Sequence, residues 1–128
     1  VSTRTRNLTF LNAAWMAFVW VTRIRNAAGD DTLTTGGRAT AYILSAGFLA
    51  GAATLAVVAA RRGPERAVAP IAVAHAAIWV LRGTQIALGD RGVAFKAVHV
   101  VLAIASIALA TVLVRSTRRA ATNVPTPV

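Results

Sequence analysis

Four apolar runs, each fenced by arginine or lysine, occupy almost the whole of this 128-residue chain. They lie between Arg6 and Arg23, Arg38 and Arg61, Arg66 and Arg82, and Lys96 and Arg115. A hydrocarbon core about 30 Å thick needs roughly 20 helical residues at ~1.5 Å each. The second run, 39–60, meets that length, and the fourth, 97–114, stands near its lower limit. The first, 7–22, and the third, 67–81, are short as fenced. They must continue past Arg23 and Arg82, whose long side chains reach back to the interface. The pattern predicts an all-α membrane protein with four transmembrane helices. Their approximate bounds are 8–26, 38–60, 67–88 and 93–115, in a single integral membrane domain over 1–128. Pro125 and Pro127 predict an extended tail over 120–128.

A soluble bundle of buried helices is the competing fold. It is disfavoured because the runs have almost no charged face. Only 14% of the residues are charged, and they collect at the ends of the runs. The net charge of +10 invites a nucleic-acid reading. A nucleic-acid binder gathers its basic residues on one solvated face, whereas here they mark membrane edges, so no nucleic-acid partner is expected. Thirteen of the fourteen basic residues are arginine, a bias typical of GC-rich coding sequence. With no cysteine, the chain has no disulfides, thiolate metal sites or cysteine nucleophiles. The first run lacks a small-x-small cleavage site and reads as a permanent span.

Four spans put both ends of the chain on one side. That side carries Arg4, Arg6, Arg61, Arg62, Arg66, Arg115, Arg118 and Arg119 against Glu65. The other carries Arg23, Arg25, Arg38, Arg82, Arg91 and Lys96 against Asp30, Asp31 and Asp90. The positive-inside rule therefore predicts an inner-membrane protein with both termini cytoplasmic. Trp20 and Trp79 are expected at the outer edge, where indole rings favour the headgroup layer.

The two halves resemble each other. When Trp20 is set against Trp79, Trp20-Val21-Thr22-Arg23 meets Trp79-Val80-Leu81-Arg82. At the same offset Ala13 meets Ala72, Ala17 meets Ala76 and Asp31 meets Asp90. Each half, about 8–62 and 67–119, is then a helical hairpin. Repeats that start on the same side are parallel, related by an axis along the membrane normal. The expected architecture is two such hairpins packed as one four-helix bundle.

Several positions carry possible chemistry. On the second span, Thr40, Leu44, Gly47, Gly51 and Thr54 recur at helical spacing. Gly47-x-x-x-Gly51 with Thr54 predicts close helix packing. The fourth span aligns Lys96, His99, Ala103, Ser106 and Ala110; the third aligns His75, Trp79 and Arg82; the first aligns Asn12, Met16, Val19 and Arg23. Polar stripes inside a membrane face protein or water. Together they predict an outward polar pocket of Arg23, Arg82 and Lys96, with Asp31 and Asp90 as counter-ions and Trp20 and Trp79 beside it. The plainer alternative is a set of interfacial anchors paired with loop carboxylates. His75 and His99 raise a bis-histidine haem, but their depths differ by roughly 6 to 10 Å at ~1.5 Å per residue. No cofactor and no metal site is expected.

No catalytic set stands out. Asp30-Asp31 lies in a loop rich in Gly and Thr, Glu65 opens the third span, and Gly36-Gly37 is an isolated pair. The leading expectation is a non-enzymatic accessory or scaffold subunit of a larger inner-membrane complex, with the bilayer and other membrane subunits or further copies as partners. The alternative is a small oligomeric transporter or channel with an anion pathway lined by Arg23, Arg82 and Lys96. The minor alternative is a membrane cytochrome using His75 and His99.

Overall fold

A computed structural model describes residues 2–123. Four helices account for nearly all of them: α1 (Thr3–Gly29), α2 (Thr35–Arg61), α3 (Val68–Leu88) and α4 (Val93–Thr122), with a 3₁₀ turn at Glu65–Ala67 leading into α3. No strand occurs among the described residues. α1 and α3 do continue past Arg23 and Arg82, to Gly29 and Leu88. α4 carries through Ala120 to Thr122, where an extended tail was expected. Ala121 and Thr122 continue the helical ladder because the prolines come later in the chain. The remainder of that expected tail, 124–128, lies outside the described residues.

Local chemistry sets the helix ends. Ser2 caps α1 by accepting the Thr5 N–H at 3.1 Å, and Thr34 caps α2 by accepting the Gly37 N–H at 3.0 Å. A Cβ on Gly37 would sit 3.1 Å from the Thr34 hydroxyl, so glycine there lets the cap close. α2 ends on Arg62 in the left-handed region (φ 49), with the Gly63 N–H bonded to the Val58 carbonyl at 2.8 Å. Pro64 then prevents the helix from resuming at once.

α1 packs along α2 and α3 along α4, and the two hairpins meet chiefly where α1 touches α4. α2 and α3 touch only lightly. Three polar links follow the α1–α4 seam. The Thr5 and Ser116 hydroxyls lie 2.6 Å apart, Asn12 Nδ2 donates to the Leu109 carbonyl at 3.3 Å, and Trp15 Nε1 donates to Ser106 Oγ at 2.8 Å. Across α3 and α4 the close approach is at Gly83, where a Cβ would stand 3.2 Å from the Ala103 methyl.

The packing registers of the hairpins coincide. Thr9, Ala13, Met16 and Trp20 are buried on α1, and Val68, Ala72, His75 and Trp79 are buried on α3 at the offset that aligns the two Trp-Val-x-Arg segments. Shifted by one residue less, Ser45, Ala52, Leu55 and Ala59 of α2 match Ala103, Ala110, Leu113 and Thr117 of α4, all buried.

The polarity of the bundle is inverted relative to a water-soluble one. Thr5, Thr9, Asn12, Ser45, His75 and Ser106 are buried, while Phe18, Ile43, Val73, Val101 and Ile104 are each more than half exposed. Water would penalise that arrangement, but hydrocarbon favours it, because polar side chains then find protein partners and apolar ones meet lipid. α2, the segment Glu65–Leu88 and α4 are long and apolar enough to cross a membrane. α1 is as long as α2 but more polar, since it carries Asn7, Thr9, Asn12 and several arginines.

Candidate functional site

Chemistry-bearing side chains gather in three places: mid-bundle, the end carrying the loops 30–34 and 89–92, and the end carrying Ser2 and Asn123. Mid-bundle, Trp20 stacks on Phe48 with ring centres 4.7 Å apart and planes 11° apart. Phe48 also meets the His75 ring at 5.4 Å. His75 Nε2 accepts the Trp79 indole N–H at 3.1 Å, one helical turn along α3. That bond makes Nε2 the acceptor and puts the ring proton of neutral His75 on Nδ1. With Met16, these rings fill the space between the hairpins.

This arrangement corrects one expectation. Trp20 and Trp79 are 2% and 5% exposed, so they belong to the core and not to an aromatic belt or a contact surface. Their rings turn inward because their positions on α1 and α3 face the other helices, where Phe48 and His75 receive them. His75 and His99 also have separate surroundings. His99 Nδ1 lies 2.8 Å from the Phe95 carbonyl, its ring stacks on Phe95 at 4.0 Å, and Arg91 lies over the Phe95 ring at 4.7 Å. Among the described residues no group of three His, Asp or Glu side chains is placed to hold a metal ion.

The glycine pair of α2 divides. A Cβ on Gly51 would lie 3.2 Å from Ile71 and 3.4 Å from Met16, so Gly51 is a close-approach site for α1 and α3. Gly47 has open space around it and faces an apolar groove of about 300 Å³ between α2 and α3. Thr54 is exposed and returns its hydroxyl to the Ala50 carbonyl. The buried face of α2 is instead Ala41, Ser45, Ala52, Leu55 and Ala59. The glycine spacing was visible in the sequence, but the helix rotation was not. Gly83 was missed because a lone glycine carries no spacing signal.

At the loop end, Arg23, Arg38, Arg82 and Lys96 are all half-buried. Arg23 lies close enough to Arg82 for their charges to repel. Asp31 and Asp90 are exposed, and among the described residues neither pairs with these cations. Asp30 is the loop carboxylate on which Arg91 and Arg23 act. Asp30 is ordered locally: Oδ1 accepts the Thr32 hydroxyl at 2.5 Å and the Thr32 N–H at 2.9 Å. These two bonds, the hydroxyl first, hold its pKa below the usual carboxylate value, with Arg91 and Arg23 adding to the effect. Arg38 Nη2 donates to the Asp30 carbonyl at 2.9 Å.

Four buried polar atoms have no hydrogen-bond partner among the described residues: Trp20 Nε1, Arg23 Nε, Arg38 Nε and Ser45 Oγ. All lie in the half of the α1–α2 hairpin nearest its loop. Three can only donate, and the serine hydroxyl can donate as well. The region therefore holds donors that its own loop carboxylates leave unused. Because two of the donors are guanidinium groups, an acidic acceptor fits it best.

The helices and their inverted polarity define the class: the chain is an all-helical membrane protein with three helices able to span the bilayer by length and composition. No protein family, curated protein or solved structure matches it.

Proposed function

We propose that this protein is a non-enzymatic accessory or scaffold subunit of a larger inner-membrane assembly, and that the loop end of α1–α2 docks an acidic group of a partner. The observation that carries this reading is the cluster of unpaired buried donors around Arg23 and Arg38. Unpaired buried donors cost roughly 1–3 kcal/mol each, and more when charged. A partner carboxylate that enters the cluster removes that cost on binding. The filled mid-bundle, with Trp20, Phe48, His75 and Trp79 in contact, supports a packing role over a through-going aqueous path.

In this reading all four helices span the membrane. α1 falls short in mean polarity, but its polar residues Thr5, Thr9 and Asn12 face inward while Phe10, Leu11, Phe18 and Val21 face outward. That apolar outer stripe is what suits α1 to lipid. The excess of arginine at the end bearing Ser2 and Asn123 supports cytoplasmic termini. The matching buried registers of the two hairpins support a parallel duplication.

The test is purification from native membranes in mild detergent. A stoichiometric partner should be present, and the double variant Arg23→Gln/Arg38→Gln should lose it. A protein that runs alone by native mass spectrometry sinks the proposal. The repulsion between Arg23 and Arg82 also favours a second reading, an anion pathway in an oligomer. Liposome flux abolished by Arg82→Ala would support that reading, and absence of flux for every anion tried would remove it.

A further inference from the structure

At the end opposite the loops, the start of α1 and the end of α4 enclose a pocket of about 370 Å³. Arg4, Arg115 and Arg119 line it together with Ser2, Thr5 and Ser116. No lining residue is acidic. We propose that this pocket binds a phosphate-bearing anion through the three guanidinium groups and the hydroxyl chain between them.

The hydroxyls form a connected row. Ser2 Oγ lies 2.9 Å from Thr5 Oγ1, which lies 2.6 Å from Ser116 Oγ. Those two contacts use two of the three hydroxyl hydrogens. One O–H is left to donate to a ligand oxygen, and the row can reorient as a unit to present it. Guanidinium forks match phosphate oxygens bidentately, which a lysine pocket would not do. Arg115 and Arg119 stand one helical turn apart on the same face of α4, and Arg4 faces them from α1. The positive end of α1 adds to the field in the same direction.

A plainer role for arginines here is to offset the negative C-terminal end of α4. Arg118 is as exposed as Arg115 and Arg119 and lies between them in the chain, yet it does not line the pocket. The concave wall and the hydroxyl row distinguish Arg115 and Arg119 from it. At ~1.5 Å per residue α1 is roughly 40 Å long, beyond a hydrocarbon core of about 30 Å, so its first turn stands at headgroup depth. Basic pockets between helices at that depth suit anionic lipid headgroups, and a free phosphate carries the same recognition chemistry. The site is at the far end from the donors of Arg23 and Arg38, so it stands or falls separately from the docking proposal.

The experiment uses full-length protein in nanodiscs of phosphatidylcholine with a minor fraction of phosphatidylglycerol. Detergent release and native mass spectrometry count the lipids retained, and calorimetry on the detergent-purified protein measures inorganic phosphate. If the source is lipid, phosphatidylglycerol is retained over phosphatidylcholine. Arg115→Gln/Arg119→Gln then lowers that retention at least tenfold, on the basis of roughly tenfold per lost charge-assisted bond. If the source is free phosphate, inorganic phosphate binds and the same double variant abolishes it. Arg118→Gln leaves either signal intact. Ser116→Ala, which removes one hydroxyl without altering charge, weakens either signal severalfold and guards against a misfolded arginine variant. The proposal is overturned if neither ligand binds selectively, or if Arg118→Gln lowers binding as much as the double variant.

Discussion

Trp15 of α1 donates its indole N–H to Ser106 of α4 at 2.8 Å, joining the two hairpins inside the bundle. Ser106 is 1% exposed, so neither water nor lipid can substitute for it. Ser106→Ala should leave the indole unpaired and destabilise the fold by about 1 kcal/mol, between the membrane average near 0.6 and the upper range for a stranded donor. Reversible unfolding in mixed micelles measures this. A double-mutant cycle with Trp15→Phe should show the two losses to be coupled.

The two glycines of α2 should respond differently. Gly47→Ala adds a methyl to open space and should leave stability within about 0.5 kcal/mol. Gly51→Ile forces atoms into Ile71 and Met16 and should cost at least about 2 kcal/mol. Gly83→Ile should act like Gly51→Ile, because it separates α3 from α4 at Ala103. Thermal inactivation of the detergent-solubilised variants, followed by size-exclusion chromatography, ranks the three. Equal behaviour of Gly47 and Gly51 would contradict the rotation of α2 described above.

The chain has no cysteine, so single-cysteine mapping needs no background removal. A cysteine at Ser2 and one at Asp31 should label from opposite sides of intact membrane vesicles if α1 spans the bilayer. Labelling of both from one side would mean that α1 does not cross.

Asp30 provides the pH test. Thr32 holds its folded pKa below the ordinary aspartate value of 3.8. A depressed carboxylate pKa gives stabilisation that is present above the unfolded value and is lost as pH falls through the folded one. The loop 30–34 should therefore keep its order down to below pH 3.8 and loosen under stronger acid. In detergent-solubilised protein, the NMR titration midpoint of Asp30 should lie below 3.8 and rise in Thr32→Val. A midpoint unchanged by that substitution would remove Thr32 as the cause.

Much of the bundle was legible from the spacing of charges. Arginine cannot remain in hydrocarbon unpaired, so the fences at Arg6, Arg38, Arg61 and Arg115 limit which part of each helix can lie in the hydrocarbon. The inward stripes of α1, α3 and α4 were also legible. Asn12, Met16 and Val19, His75 and Trp79, and Ala103, Ser106 and Ala110 are all buried. On α2 the same reasoning chose the wrong face, because a helix that is apolar all round carries no signal for its rotation. Trp20 and Trp79 misled for a related reason. A tryptophan near a helix end suits either an interface or a core, and only the neighbours Phe48 and His75 select the core.

At the loop end the arginines were legible along the chain, but their company was not. Arg23 and Arg82 were paired by the resemblance of the two halves, and they are neighbours in space. Asp30 and Asp31 are adjacent and alike in sequence, yet their surroundings differ. What separates them is the turn that bonds Asp30 to Thr32 and sends Asp31 to the surface.

By itself, the sequence determined the solvent, the helices and the distribution of charge, because hydrophobic length and the cost of burying arginine are properties of single segments. Only the tertiary structure decided which faces meet. That choice depends on interactions too local to be read along one chain: one indole reaching one serine across α1 and α4, one glycine admitting one isoleucine, and three arginines from two distant segments closing around the same pocket.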